Sequence, residues 1–379
     1  MIYDVIIIGA GSMGMATGYY LAKAGKNVLM IDALNPPHEE GSHHGEGSHH
    51  GETRIIRFAY GEGASYVPFV KRAGELWREL EALSNESLFL QTGVVNVGEP
   101  SHSFIKNVKA SAELYDLALE QYSADKAMKK WPGLFVPENF VACYEPTAGV
   151  LRVEACIHAY KKLAMEAGAA LHTNEKVQSI QAGSIVKVQT ENNIYESKQL
   201  IVTAGAWITE LLQTMGIPIP VTPTRKTFAW FEADEQLYGE NVFPAYCFEL
   251  EDSTYYGFPS IDGVGLKLGR HDGGEAINPN DPLRPFDEQD SIDLLNFIQQ
   301  FMPQHGALNY GKTCKYSMTP DEDFIIDFLP EHQNIIVAAG FSGHGFKFSS
   351  AVGEVLTELI LNGQSKQDLS LFKIDRFNK

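Results

Sequence analysis

Residues 1–32 place the strongest constraint on the fold. The run from Tyr3 to Gly9, YDVIIIG, is apolar and rich in β-branched residues, which predicts a strand buried on both faces of a parallel sheet. Gly9, Gly11 and Gly14 then give the spacing G-x-G-x-x-G, and a helix that ends at Gly25 should follow. This order of strand, glycine turn and helix predicts a βαβ unit that binds a dinucleotide at the helix N-terminus.

Each glycine of this turn is required for a different structural reason. Gly9 permits the tight turn, Gly11 lets the backbone approach a pyrophosphate, and Gly14 lets the helix pack closely on the strand. The next strand, NVLMID, ends at Asp32, where a carboxylate can accept hydrogen bonds from a ribose hydroxyl. NAD and FAD share an adenosine diphosphate half, so this unit predicts a dinucleotide without deciding between the two.

A second glycine-rich turn follows an apolar strand near the carboxyl end of the sequence. Residues 334–361 read as strand, turn and amphipathic helix, and the turn GFSGHG places Gly343 and His344 just before Lys347. Because helix N-termini favour anions, a lysine at this position is a candidate anion-binding residue.

A third strand and small-residue turn, LIVTAGAW at residues 200–207, contains Gly205. A chain that returns at its end to the nucleotide sheet it opened with is typical of flavin disulfide-reductase-like folds, by analogy.

Composition excludes several classes of function. A formal net charge of -18 repels phosphate backbones and anionic lipid, so we expect no nucleic-acid partner and no membrane partner. Residues 5–22 carry no charge, but their four glycines and the lack of a preceding basic region argue against a membrane span or signal peptide.

Four scattered cysteines without C-x-x-C spacing are typical of reduced thiols in a cytoplasmic protein. We therefore expect a small-molecule ligand.

The six residues GSHHGE occur twice in succession, at 41–46 and 47–52. The repeat brings together four histidines, His43, His44, His49 and His50. Neighbouring histidines in a glycine-rich segment lack a fixed geometry, and no acid or cysteine at a suitable spacing completes a ligand set. We therefore predict no metal site and interpret the repeat as a tolerated loop duplication whose second copy is functional.

Several longer motifs resemble the monomeric sarcosine oxidase and N-methyl-L-tryptophan oxidase family of flavoenzymes. They are GSHHGETRIIR with AYGEG, YYGFPS with GLKLGRH, PDEDFIID, and AAGFSGHGFKFSS, and the similarity spans essentially the whole chain. The resemblance implies an α/β fold: an FAD-binding Rossmann-like domain, three-layered with a parallel sheet, interleaved with an α+β substrate domain whose sheet is mainly antiparallel. We expect the FAD domain at residues 1–85, 146–220 and 320–379, and the substrate domain at 86–145 and 221–319.

The reaction that the resemblance implies is oxidative demethylation of an N-methyl amino acid, with sarcosine as first choice. Hydride leaves the N-methyl carbon for flavin N5, water hydrolyses the imine to formaldehyde and the primary amino acid, and dioxygen reoxidises the flavin to give hydrogen peroxide. The alternatives are N-methyl-L-tryptophan, or another secondary amine such as pipecolate. TFAWFEAD and HDGG favour the tryptophan type, whereas GAGSMGMA and FSGHGFKFSSAVGEVL favour sarcosine.

Three further alternatives stay open: a flavoprotein without turnover, a metal-sensing variant, and a nicotinamide-dependent dehydrogenase. The family also suggests a monomer.

The resemblance assigns roles to residues that would line the substrate cavity. Arg57 and Lys347 would hold the substrate carboxylate, Tyr316 would line the same cavity, and Tyr256 and His271 would lie near the amine and its methyl group. Taken alone, each residue type more often has a structural place, as a salt-bridge arginine, an interface tyrosine or a core histidine. Nearby cations would also lower the pKa of the substrate ammonium.

Lys267, in GLKLG, is the residue that we expect to act on dioxygen. Leu266 and Leu268 should point to the opposite face of the strand, which leaves one ammonium among apolar groups. By the resemblance, Lys267 stabilises the negative charge that develops as dioxygen takes an electron. Arg54, on the opposite face of the flavin, would offset the negative charge of the reduced ring.

The resemblance further implies covalent attachment of FAD through its 8α-methyl group to a cysteine in GKTCKYSMTPDED, which here is Cys314. Taken alone, this cysteine would more often be a small buried hydrophobe. The complete set of cofactor-binding candidates is Gly9, Gly11, Gly14, Asp32, His50, Thr53, Gly205, Cys314, Gly343, His344 and Lys347.

Overall fold

A computed structural model of the protein describes residues 1–37 and 47–377. The first copy of the repeat, with His43 and His44, lies outside these residues. The helices within them are α1 (Ser12–Lys23), α2 (Val67–Ser84), α3 (Ser103–Leu114), α4 (Ala124–Lys130), α5 (Val153–Glu166), α6 (Ile208–Gln213), α7 (Glu235–Tyr238), α8 (Glu288–Phe301) and α9 (Ser349–Asn362). The strands are β1 (Ile2–Ile8), β2 (Val28–Ile31), β3 (Thr53–Ile56), β4 (Phe89–Leu90), β5 (Val94–Gly98), β6 (Glu120–Ser123), β7 (Val141–Glu145), β8 (Gly149–Arg152), β9 (Ala170–His172), β10 (Val177–Gln181), β11 (Val186–Thr190), β12 (Ile194–Val202), β13 (Thr222–Phe231), β14 (Ala245–Glu249), β15 (Thr254–Phe258), β16 (Leu266–Arg270), β17 (Glu275–Ala276), β18 (Leu308–Met318), β19 (Ile325–Leu329) and β20 (His332–Ala339).

The first sheet contains the predicted βαβ unit. Strands β9, β2, β1, β12 and β20 run parallel to one another, while β10, β11 and β19 are added antiparallel at its margins. One face of the sheet packs against α1, α5 and α9 in a large apolar core. On the other face, Ile6 and Leu29 lie in a cluster with Ile208 and Leu212 of α6. The predicted Rossmann-like, layered α/β architecture is confirmed, with antiparallel margins that the sequence analysis did not include.

The second sheet is mainly antiparallel, as predicted. Its described strands follow the order β17-β13-β16-β15-β14-β5-β7-β6, with β18 paired along β13, and β5 and β14 form its parallel pair. One face carries an aromatic core that includes Phe248, Leu266 and Leu268 together with Phe297 of α8. The opposite face is turned toward the first sheet and carries the candidate site residues described below.

The two sheets fall within the two predicted sets of ranges. All strands of the first sheet lie in residues 1–85, 146–220 or 320–379, and all strands of the second lie in 86–145 or 221–319. A small third sheet, β3-β8-β4, combines strands from both sets. The domain boundaries themselves remain a prediction. None of the helices in the described ranges has both the length and the apolar character that a membrane span requires.

Candidate active site

A cavity of about 520 Å³ opens at the β1–α1 turn. Gly9 has φ +89°, and a Cβ at this position would lie 2.5 Å from the carbonyl oxygen of Thr203. A Cβ at Gly14 would lie 1.9 Å from the carbonyl oxygen of Gly9. Both contacts are with backbone atoms, so these positions require glycine if β1, α1 and β12 are to pack as closely as they do.

The N-terminus of α1 faces this cavity through Gly11, Ser12 and Met13. Among the described residues, no side chain caps this terminus, and its first turn contains no acid. Asp32 lines the same cavity, is 7% exposed, and accepts hydrogen bonds from the backbone N–H groups of Ala10 (2.6 Å) and Leu34 (2.9 Å). An uncapped helix N-terminus next to a fixed carboxylate fits the pyrophosphate and ribose of a dinucleotide such as FAD.

The second copy of the repeat crosses the same cavity. His49 is buried, lines the cavity beside Gly11, and approaches the carbonyl oxygen of Pro37 at 3.1 Å through Nε2. The ring of His50 packs instead against Phe228, with ring centroids 5.8 Å apart. The structure therefore places His49, which the sequence analysis did not select, on the cavity wall in addition to the predicted glycines.

One face of the second sheet carries most of the remaining candidate residues. Directly opposed residues of an antiparallel pair share a face, and the register opposes Glu249 to Thr254 and Phe258 to Lys267. By alternation, Tyr256 lies on this face as well, and His271 follows just after β16. Leu266 and Leu268 pack into the core on the other face, as the alternation predicted.

A second, smaller cavity of about 190 Å³ adjoins the first. Four residues line both cavities: Arg54, Tyr316, Gly343 and Phe346. The smaller cavity is also lined by the predicted substrate and catalytic residues Arg57, Tyr256, His271 and Lys347, and by His344, which was predicted to bind the cofactor. The reactive end of a dinucleotide in the larger cavity would therefore meet a substrate in the smaller one.

Arg57 is 5% exposed, and its Nη2 donates to both carboxylate oxygens of Glu62 at 2.7 Å. Its guanidinium lies over the rings of Tyr60 (4.6 Å) and Phe104 (4.9 Å). Burial would raise the pKa of Glu62, but the charges of Arg57, His344 and Lys347 outweigh it and bring that pKa to about 2. Within the described residues, Nη1 of Arg57 is buried without a hydrogen-bond partner, so it can donate to a ligand.

Lys347 lies in the single turn Phe346–Phe348 that precedes α9. Its Nζ donates to the carbonyl oxygen of His344 (2.7 Å) and to the hydroxyl of Tyr60 (3.4 Å). Burial, with the nearby charge of Arg57, lowers the pKa of Lys347 to about 7. An anionic ligand would stabilise the protonated form of this amine, which suits it to bind a carboxylate.

Tyr316 lines both cavities and lies next to Tyr256 and His271 of the smaller one. The hydroxyl of Tyr316 donates to that of Tyr256 at 3.4 Å, and the rings of His271 and Tyr316 are 6.1 Å apart. Burial lowers the pKa of His271 to about 4, so its imidazole is neutral at physiological pH.

Lys267 is 2% exposed and surrounded by Phe228, Trp230 and Phe258, whose ring centroids lie 4.7–5.2 Å from Nζ. Nζ donates to the carbonyl oxygen of Gly51, and to the carbonyl and hydroxyl oxygens of Thr53 at 3.2 Å each. Burial and the charge of Arg54 push its pKa well below the usual lysine value.

Arg54 and Lys267 converge on the carbonyl oxygen of Thr53, to which Nη1 of Arg54 donates at 2.8 Å. Nη2 of Arg54 also donates to the carbonyl oxygens of Ser48 (2.8 Å) and His50 (2.9 Å). The backbone of the second GSHHGE copy therefore holds both cations in place. Lys267 lines neither cavity, whereas Arg54 lines both.

Cys314 is 1% exposed and lies two residues before Tyr316 on β18, on the same face of the strand. Burial raises the pKa of its thiol to about 11, against the opposing charges of Arg54, Lys267 and Lys226. Lys226 is directly opposite Cys314 in the β13–β18 register.

Lys226 is a buried cation that the sequence analysis did not identify. Its Nζ donates to the carbonyl oxygens of His271 and Gly273 at 2.5 Å each, and burial lowers its pKa to about 8. It therefore fixes the loop that carries His271. The sequence TRKTFAW offered a signal in a lysine alternating with aromatic residues on one strand face.

Sequence reasoning also missed Glu62, which lies in the quoted AYGEG motif, and Glu249. Both are acids in the smaller cavity. Glu249 is the last residue of β14, and an acid at the end of a strand is ordinarily exposed. For metals, the described residues contain no group of three or more His, Cys, Asp or Glu side chains arranged around a common point.

Comparison with known proteins gives a consistent result. A family model described as FAD dependent oxidoreductase matches residues 4–359. A monomeric sarcosine oxidase of Bacillus sp. (strain B-0618) is 46% identical over 380 residues, which is 99% of this chain and 96% of that protein. An N-methyl-L-tryptophan oxidase of Yersinia pestis (strain Pestoides F) is 44% identical over 383 residues, covering 100% of both chains.

Solved structures with the same architecture include L-proline dehydrogenase from P. horikoshii, with a TM-score of 0.87, 23% identity, and coverage of 100% of this chain and 98% of that one. NikD, an amino acid oxidase of nikkomycin biosynthesis, gives a TM-score of 0.84 at 20% identity over 98% of this chain and 97% of that one. At these identities the likeness shows the fold. The chain belongs to the FAD dependent oxidoreductase family, in which monomeric sarcosine oxidases and N-methyl-L-tryptophan oxidases are its relatives.

Proposed function

We propose that this protein is an FAD-dependent oxidase that demethylates a small N-methyl amino acid, with sarcosine as the first choice. The observation that carries this proposal is the smaller cavity, which adjoins the dinucleotide cavity and contains the buried cations Arg57 and Lys347. A carboxylate is the ligand that such a pair of cations selects. The relatives named for N-methyl amino acids support the same substrate class.

The size of the cavity favours sarcosine. About 190 Å³ is less than the roughly 300–1,000 Å³ of typical drug-sized ligand sites, and an indole ring would fill much of it. Identity does not separate the two substrates, since it is 46% to the sarcosine oxidase and 44% to the N-methyl-L-tryptophan oxidase. N-methyl-L-tryptophan is therefore the second candidate, and a cyclic secondary amine such as pipecolate is the third.

The carboxylate of the substrate would bind between Arg57 and Lys347. Nη1 of Arg57 is the donor left over after Nη2 has bound Glu62, and Lys347 would exchange its contact with Tyr60 for the ligand. These cations also lower the pKa of the substrate ammonium, because they disfavour a further positive charge close by. The N-methyl group would then lie toward Tyr256, Tyr316 and His271.

Bound FAD supplies the two-electron oxidation of the substrate and passes the electrons to dioxygen. Gly9, Gly11, Gly14, Asp32, Gly205 and Gly343 would hold it, with further contacts from His344, His50 and Thr53. Lys267 would provide a fixed positive charge for the reduction of dioxygen, in a site where the aromatic rings exclude water and strengthen its field. Arg54, which lines both cavities, would offset negative charge on the cofactor.

We also propose that Cys314 binds FAD covalently. Formation of the thioether would break the S–H bond of Cys314 and a C–H bond of the 8α-methyl group, and FAD would take up the two electrons before they pass to dioxygen. The charges of Arg54, Lys267 and Lys226 favour loss of the thiol proton against the effect of burial. Acid precipitation should leave the flavin on the wild-type protein and release it from Cys314→Ser. Cys247→Ser is the matched control, because Cys247 is also a buried thiol and lines the smaller cavity. Flavin release from wild-type protein would contradict the attachment.

The function is tested by hydrogen peroxide production in air, with sarcosine and N-methyl-L-tryptophan compared side by side. We expect a larger kcat/KM for sarcosine. A larger value for the tryptophan derivative would replace the first candidate by the second, and turnover of neither substrate would contradict the proposed substrate class. We further propose a monomer located in the cytoplasm, in keeping with four free, buried cysteine thiols.

A further inference from the structure

A buried acid in the smaller cavity has no part in the reaction described so far. Glu249 is 4% exposed and lines this cavity. Its Oε2 accepts a hydrogen bond from the hydroxyl of Thr254 at 2.8 Å. Its Oε1 is buried and has no hydrogen-bond partner among the described residues. A buried carboxylate oxygen that is left without a donor is costly unless a ligand supplies one.

The other candidate proton acceptors of this cavity are already engaged or weaker. Glu62 accepts both of its hydrogen bonds from Arg57, and Glu322 is exposed. His344 uses both ring nitrogens, Nδ1 at the hydroxyl of Tyr60 (2.7 Å) and Nε2 at the carbonyl oxygen of Glu322 (3.2 Å). Glu249 is thus the buried acid in this part of the described structure whose oxygen is available to a substrate.

The surroundings of Glu249 adjust its basicity to neutral pH. Burial raises the pKa of Glu249 to about 7, and the negative charges of Glu62 and Asp272 contribute in the same direction. The hydrogen bond from Thr254 and the positive charge of Arg57 lower this pKa, but they do not outweigh burial. His271 is a weaker base, since burial lowers its pKa to about 4. A group with a pKa near the working pH can both accept a proton from the substrate and return it to solvent.

We propose that Glu249 is a catalytic residue that accepts the proton of the substrate ammonium through Oε1. This inference rests on the proposed function and adds a proton acceptor to it. In this step the N–H bond of the ammonium breaks, an O–H bond forms on Glu249, and the electron pair of the N–H bond remains on nitrogen as the lone pair that assists hydride departure. The proton returns to solvent when the product leaves and Glu249 ionises again.

The test compares Glu249→Gln with wild type in anaerobic stopped-flow reduction of the flavin by sarcosine. Glutamine keeps the size of the side chain and can still accept from Thr254, but it cannot take up a proton. We expect reduction at pH 8 to be about 100-fold slower in the variant, at the low end of the 10²- to 10⁴-fold contribution of general bases. The difference should shrink at least tenfold by pH 10, where the substrate amine loses its proton unaided.

Methoxyacetate, which has an ether oxygen in place of the amine, provides the control for folding and for carboxylate binding. At pH 6 Glu249 is largely protonated in the wild type, so this side chain is uncharged in both proteins. The Kd for methoxyacetate, measured from the flavin absorption spectrum, should therefore agree within about threefold between wild type and Glu249→Gln. Thr254→Val is the matched control variant, because it removes the partner of Oε2 and leaves Oε1 in place. It should keep a pH-dependent rate of flavin reduction, with the midpoint moved to higher pH because the hydrogen bond that lowers the pKa of Glu249 is lost.

A second measurement uses wild-type protein alone. At pH 8, where Glu249 is largely ionised in the free protein, glycine binding should produce the infrared band of a protonated carboxyl group, and methoxyacetate binding should not. Absence of this band, or a Glu249→Gln variant with a normal rate at pH 8, overturns the inference. These results are distinct from failure of the proposed function, in which wild-type protein would oxidise no N-methyl amino acid at all.

Discussion

Replacement of Arg57 by Met should weaken the binding of the substrate carboxylate, and the structure predicts by how much. Within the described residues, Nη1 of Arg57 is the nitrogen left for a ligand, so the substitution removes one charge-assisted hydrogen bond. Such a bond contributes about 1.5–3 kcal/mol. At about 1.4 kcal/mol per factor of ten, kcat/KM for sarcosine should fall roughly 10- to 150-fold, with most of the change in KM.

The single substitution also disturbs Glu62, which loses its ion-pair partner. The side chain of Glu62 is 26% exposed, so this loss should cost less stability than the about 3–5 kcal/mol found for fully buried pairs. The double variant Arg57→Met with Glu62→Gln removes both charges. Its thermal stability should therefore recover toward that of wild type, while its kcat/KM should stay low.

The assay is the initial rate of hydrogen peroxide formation over a range of sarcosine concentrations, together with thermal unfolding of the same samples. Glu62→Gln alone is the control, and its kcat/KM should change less than tenfold because Arg57 remains. A double variant with kcat/KM within threefold of wild type would refute the reasoning, since the loss in Arg57→Met would then come from the unpaired Glu62 carboxylate.

Three further outcomes are expected. Lys267→Met should lower kcat/KM for dioxygen at least about 100-fold, as removal of a preorganised charge does in other enzymes. The rate of anaerobic flavin reduction by sarcosine should stay within about fivefold of wild type, and equal losses in both half-reactions would contradict a role of Lys267 toward dioxygen. Gly14→Ala should destabilise the protein by about 1–3 kcal/mol and reduce FAD retention, because the new Cβ would meet the rigid carbonyl oxygen of Gly9 at 1.9 Å. In the control Gly18→Ala, the new Cβ meets the flexible side chain of Met30, so thermal unfolding should show a smaller loss of stability for this variant. Because burial lowers the pKa of Lys347 to about 7, this lysine loses its charge as pH rises through 7, and the Kd for methoxyacetate should rise over that range. Glu249 ionises in the same range, so the comparison is made in the Glu249→Gln background: there the rise should be up to tenfold per pH unit, Lys347→Met should remove most of it, and an unchanged profile would show that another group controls it.

The sequence predicted the parts of the site that depend on local backbone geometry. Gly9 and Gly14 could be predicted because a strand, a tight turn and a closely packed helix leave space for hydrogen only, and the structure gives those contacts. The apolar alternation of Leu266 and Leu268 likewise predicted that Lys267 would lie on the opposite face of its strand. Roles for Arg57, Cys314 and His271 came from resemblance, because single residues of these types have no local signal.

The contacts between distant segments could not be predicted. Nothing local indicates that Lys226 fixes the loop of His271, or that His49 and not His50 lines the nucleotide cavity. Those outcomes depend on strand register and on the path of a loop, which are set by packing between the two sheets.

The sequence by itself determined the dinucleotide-binding unit, the alternation of the strands and the family, because these follow from periodicity, glycine spacing and long motifs. The tertiary structure alone decided which charges become buried together. Glu249 and Arg57 are far apart in the chain, and each would be an ordinary surface residue in isolation. Their meeting in one small cavity removes water from both, and that loss of hydration is the physical reason for the raised pKa of Glu249 and for the chemistry proposed here.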